Sequence, residues 1–186
     1  MKFDDKKQSA VMITNGTILF SEDERKHLMD SFNKQQITLF LQEQRSIHNS
    51  ILSGIEIVLN KPLVNLLVGG LFMPAIYENL KSLIQITIKR VQEKNIRIIT
   101  PNESSLPNVT LKILTQKGHI IASLDRDTTD KDLDIYIKAL IQAANSVDDN
   151  NDAYNPIYRI IEKDSDGSLL ILTLNEYLKK HNKING

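Results

Sequence analysis

Between Lys61 and Glu78 the chain carries no charged side chain, and Asn65 is the one strongly polar residue in positions 62–77. A solvent-facing loop cannot hold that much apolar surface. A membrane-spanning helix needs about 17–25 residues, more than this block provides. Any fold must therefore cover the block in one of three ways: a core, a partner chain or a lipid interface.

Pro62 suits the first position of a helix, where its missing N–H costs nothing. The spacing predicts one long element over 62–92, kinked near Pro74. Its second half is amphipathic, with Ile76, Leu80, Leu83, Ile84, Thr87, Ile88 and Val91 at helical spacing and Glu78, Lys81, Lys89 and Arg90 facing mostly away. Its first half has no polar face. Gly69-Gly70 lacks the lysine and spaced glycines of a phosphate loop; two missing side chains instead let another backbone come close. Each glycine also weakens a helix by about 1 kcal/mol relative to alanine.

The flanking segments set the fold class. Asn15-Gly16, between apolar runs at 11–14 and 17–20, predicts a type I′ hairpin. Ser21 and Glu24 form a capping-box pattern that opens a helix bearing Leu28 and Phe32. Residues 35–53 read mainly as a continuation of that helix, with a strand at 37–41 as the alternative. The β-branched alternation at 54–60 predicts a strand. Residues 95–124 predict a β-meander with a turn at Lys117-Gly118, and Thr129 with Asp132 predicts the N-cap of a second amphipathic helix. Acidic, Asn-rich residues 146–154 read as a flexible loop. The tail predicts a hairpin turning at 164–168, then a short helix capped by Thr173 and Glu176. The expected architecture is a single α+β domain over 1–186, with a mobile tail at 1–9 and a mostly antiparallel sheet packed by the long apolar helix and the second amphipathic one.

Composition excludes several functions. There are 23 basic and 23 acidic side chains, interspersed, so a phosphate-binding patch is not expected and nucleic acid is not an expected partner. The chain lacks cysteine, which removes disulfides, thiol nucleophiles and thiolate zinc sites. The first residues mix acids and bases without an apolar core, so no signal peptide is read and a cytoplasmic protein is expected. The richness in Ile, Lys and Asn matches an AT-rich bacterial genome.

No catalytic, cofactor or metal residues are assigned. Asp164-Ser-Asp166-Gly resembles a piece of a calcium loop but lacks its further oxygen ligands and terminal Glu. His119 and Asp125 lie at opposite ends of one predicted strand, roughly 20 Å apart at about 3.3 Å per residue. His27, His48 and His181 have no second ligand one turn on.

The order strand, apolar helix, β-hairpin, amphipathic helix across 54–144 resembles the layout of small effector-associated components of bacterial conflict systems, which implies an accessory role beside a separate enzyme. The expected function is a non-enzymatic interaction module. It would self-associate or bind a protein partner through the apolar block, at Leu66, Leu67, Gly69, Gly70, Leu71, Phe72 and Met73. Two alternatives stay open. One is a small hydrolase or nucleotide-modifying enzyme using Asp125, Asp127, Asp164 and Asp166 with His119. The other is peripheral membrane contact, for which Lys61 alone supplies a basic flank.

Overall fold

The computed structural model describes residues 8–43, 54–68, 74–96, 98–99, 104–105, 107–115, 117–148 and 157–182. Strand β1 (Ala10–Thr14) leads through a one-turn helix α1 (Gly16–Leu19) and helix α2 (Glu22–Asn33) to β2 (Thr38–Gln42). After β3 (Ile55–Leu59) come helices α3 (Lys61–Val68) and α4 (Pro74–Glu93). A two-stranded ribbon of β4 (Ile98–Ile99) and β5 (Ser104–Ser105) follows, then the hairpin β6 (Val109–Leu114) and β7 (Gly118–Leu124). Helix α5 (Asp130–Asp148), the hairpin β8 (Ile157–Lys163) and β9 (Leu169–Thr173), and helix α6 (Leu174–Asn182) complete the described chain.

Seven strands make one sheet in the order β2-β1-β3-β6-β7-β8-β9. The pairs β1–β2, β3–β6 and β7–β8 are parallel, and β1–β3, β6–β7 and β8–β9 antiparallel. The fold is α+β as expected, but the sheet is mixed and not mostly antiparallel. Each parallel pair is joined by a connection containing helices, which is what a parallel neighbour requires. Helix α4 contacts both α2 and α5, and the three share a layer on one face of the sheet. That face carries Val11, Ile13, Ile55, Ile57, Leu59, Leu111, Ile113, Ile120, Ala122 and Leu124, all buried in one apolar cluster with Leu80, Leu83, Ile84, Leu133, Ile137 and Leu140.

Three local expectations are corrected. Asn15 does take the left-handed conformation (φ 57°), but the chain turns into α1 and makes no hairpin. Both edges of β1 are already filled by β2 and β3, and Leu19 and Phe20 enter the core. Residues 38–42 are a strand and do not continue α2. Gln36 (φ 60°) ends the helix in a Schellman arrangement, in which the Gln36 and Ile37 N–H groups donate to the Asn33 and Phe32 carbonyls while Phe32 and Ile37 bury together. The meander is also not continuous: among the described residues β4 pairs with β5 alone, and β6 lies between β3 and β7.

The remaining elements follow their local signals. Ser21 and Glu24 close a reciprocal capping box. Thr129 and Asp132 do the same for α5, and Thr173 and Glu176 for α6. Every member of the α4 stripe from Ile76 to Val91 is buried. Gly167 supplies the positive φ (86°) of the β8–β9 turn. Helix α5 runs to Asp148, three residues into the segment read as a loop, and 149–156 lie outside the described residues.

Candidate functional site

Asn60 organises the entry to the apolar block. Its side chain is 4% exposed and serves three backbone groups at once. Its Oδ1 accepts from the Ala10 N–H (2.9 Å) and from the Leu63 N–H (3.2 Å), and its Nδ2 donates to the Gln8 carbonyl (2.7 Å). It is thus the N-cap of α3 and a tie from that helix to β1. Pro62 is the second residue of α3, a position whose N–H has no intrahelical partner in any case.

Helix α3 divides its apolar residues. Leu63 and Val64 are buried in the core, Leu67 is half-buried against it, Asn65 is exposed, and Leu66 is 37% exposed. Gly69, Gly70, Leu71, Phe72 and Met73 lie outside the described residues, and so does the expected join between α3 and α4. The block is therefore core on one side of α3 and surface at Leu66.

A polar cluster joins α4 to the start of α5. The Lys81 side chain is buried, and its Nζ donates to Asp130 Oδ2 (2.7 Å) and pairs with Asp134 Oδ1 (2.9 Å). The Tyr77 hydroxyl donates to Asp134 Oδ1 (2.7 Å), and the Gln85 amide donates to Asp130 Oδ1 (3.0 Å). The hydrogen bond from Lys81 holds Asp134 below the usual carboxylate range, and the bonds to Asp130 and Asp134 raise Lys81 above its ordinary value. A lysine stabilised in its charged form is a poor nucleophile or base, so this cluster is a clamp between helices. Sequence periodicity assigned Lys81 outward; the acids of the next helix are what draw it in.

The acids and the histidine of the enzymatic alternative do not converge. Strands β7 and β8 run parallel from Gly118 opposite Ile157 to Ala122 opposite Ile161. His119 is therefore near one end of the sheet, while Asp125 and Asp164 follow the strands at the other. Asp164 receives the Lys180 ammonium (3.2 Å), and the Asp166 carboxylate accepts from the Ser168 N–H (2.9 Å), both as turn and helix-docking contacts. His119 sits edge-on to Tyr158 with its Nδ1 buried and unpartnered; burial lowers its pKa, with the Lys112 charge adding to the effect. Among the described residues no group of three or more His, Asp or Glu side chains could hold a metal ion.

An open hollow of about 570 Å³ lies between α1, α2 and β2, lined by Thr17, Glu22, Arg25, Met29, Asp30 and Leu41 among others. Its charges are mixed in sign. The recurrence of 22, 25, 26, 29, 30 and 33 along α2 was visible in the sequence, but the opposing wall at Leu41 depends on residues 38–42 being a strand. Among the described residues no helix is long and apolar enough to cross a membrane. Comparison with protein-family models, with curated proteins and with solved structures returned no match.

Proposed function

We propose that this chain is a non-enzymatic interaction module that binds a protein partner or a second copy of itself through the apolar 62–77 block. The observation that carries the reading is the division of α3. Leu63 and Val64 meet the apolar needs of the core, yet Leu66 continues the apolar sequence onto the surface. A contiguous apolar patch reaching the surface is what marks an interaction site, and Leu66 is the described residue at which this uncharged block does so.

The test compares Leu66→Asp with Leu63→Asp by thermal unfolding and by light scattering. Leu63→Asp introduces a charge into the core and is expected to unfold the protein. Leu66→Asp is expected to keep the melting temperature within about 2 °C, as surface substitutions do, and to lose whatever association the native chain shows. If Leu66→Asp melts as early as Leu63→Asp, the outer side of α3 is covered by this chain and the reading falls.

A further inference from the structure

We propose a second surface, the free edge of β9, at which two copies of the chain pair their strands antiparallel about a two-fold axis through Leu170. The inference rests on the chain being an interaction module but uses residues remote in sequence from α3.

Among the described residues β9 has β8 as its only strand neighbour. The N–H of Asp164 donates to the carbonyl of Ser168 (2.8 Å), which sets the phase of the β8–β9 ladder. Counting in steps of two from that pair, Leu170 and Leu172 exchange bonds with β8, opposite Glu162 and Ile160. Leu169, Ile171 and Thr173 turn their backbone groups outward. The Thr173 N–H is already taken by the Glu176 carboxylate in the cap of α6 (2.7 Å). Leu169 and Ile171 are left as the outward-facing pair.

One register uses those groups and no others. With the two-fold axis at Leu170, Leu169 of one copy lies opposite Ile171 of the other. Both residues then exchange N–H and C=O across the edge. On the face that carries α5 this sets Leu169 against Ile171, and on the face that α6 crosses it sets Leu170 against Leu170. All are apolar, and Ile171 is 38% exposed in the single chain. No charged side chain occurs from Gly167 to Asn175, so self-pairing meets no like charges, and the edge lacks the lysine, proline or bulge that natural edges use to prevent it. Leu174 and Leu178 of α6, both exposed, continue the apolar surface directly after the strand. A two-fold, self-complementary contact of this kind closes at the dimer. A contact confined to one strand edge is expected to bury less than the roughly 800 Å² per side of a stable dimer, so the pair is expected to dissociate on dilution.

The absence of cysteine makes a direct test clean. In the proposed register the two Leu170 Cα atoms face each other in a non-hydrogen-bonded pair, roughly 4.5 Å apart, inside the disulfide window of roughly 4.4–6.8 Å. The two Leu172 positions are offset by four residues, roughly 13 Å. Under mild oxidation Leu170→Cys is expected to cross-link at least about tenfold faster than Leu172→Cys. Ile171→Pro removes an outward N–H that β8 does not use, a substitution edge strands tolerate. It is expected to retain the native circular dichroism and to stay monomeric where the unaltered chain is dimeric. Equal cross-linking of the two cysteine variants would overturn the pairing. So would an unaltered chain that stays at 21.2 kDa up to several hundred micromolar. A dimer dissolved by Leu66→Asp but untouched by Ile171→Pro would also overturn it, while leaving the α3 reading in place.

Discussion

Replacing Asn60 by alanine tests how the apolar block is anchored. The substitution removes the N-cap of α3, which typically costs about 1 kcal/mol. It also strips the partner from the Ala10 N–H, a backbone group of a buried residue, for which the usual penalty is about 1–3 kcal/mol. The donation to Gln8 is lost as well. Together these give a loss of about 3 kcal/mol. At about 2–4 °C per kcal/mol for a chain of this size, the melting temperature should fall by about 6–12 °C. Asn60→Ser keeps an N-cap acceptor for the Leu63 N–H but loses the contacts to Ala10 and Gln8, so it should recover only the cap, about 1 kcal/mol of the deficit. The assay is thermal unfolding by circular dichroism, with amide exchange at Leu63 to Val68 as the local readout, expected to quicken in Asn60→Ala. A loss below about 1 kcal/mol, or a serine variant that recovers the whole deficit, would refute the claim that this side chain ties α3 to β1.

Gly118→Ala places a Cβ 1.8 Å from the Ile157 carbonyl oxygen, so the β7–β8 junction must shift; a loss of about 3 kcal/mol is expected by denaturant titration. Lys81→Met should cost about 1–2 kcal/mol, less than the 3–5 of a fully buried pair, because the Asp130 and Asp134 side chains it leaves are 63% and 38% exposed and can be hydrated. The carboxylates of Asp132 and Asp134 lie below their ordinary 3.8, and those of Glu24 and Glu176 below their ordinary 4.5, held down by hydrogen bonds from Thr129, Lys81, Ser21 and Thr173 respectively. Depressed values mean the unfolded chain takes up protons first. Stability is then full above about pH 5 and falls as pH drops through 4.5 and below; a melting temperature that rises on acidification through this range would contradict these contacts.

The parts of the fold legible in the sequence are those fixed by neighbours in the chain. The capping boxes at Ser21, Thr129 and Thr173 could be read because donor and acceptor lie three residues apart. So could the α4 stripe and the two hairpins β6–β7 and β8–β9. The short apolar run at 37–41 fits helix and strand periodicity alike, so the sequence leaves both open; what decides for β2 is the left-handed Gln36. The parallel pairs escaped because they join segments separated by whole helices. Asn15-Gly16 supplied the expected backbone conformation, but whether such a turn becomes a hairpin depends on a free edge, and β1 has none. At the candidate site, the apolar character of the block was visible at once. Its division between Leu63, Val64 and Leu66 depends on how α3 is rotated over the sheet, which Asn60 sets from outside the block.

The proposed role of Leu66 is to be covered by another chain. Light scattering across a concentration series, with the unaltered protein and Leu66→Asp measured side by side, tests it most directly. If Leu66 meets another chain, the mass climbs above 21.2 kDa with concentration in the unaltered protein, and Leu66→Asp stays well folded with weakened association. A mass fixed at 21.2 kDa throughout, with Leu66→Asp as destabilised as a core substitution, would contradict it.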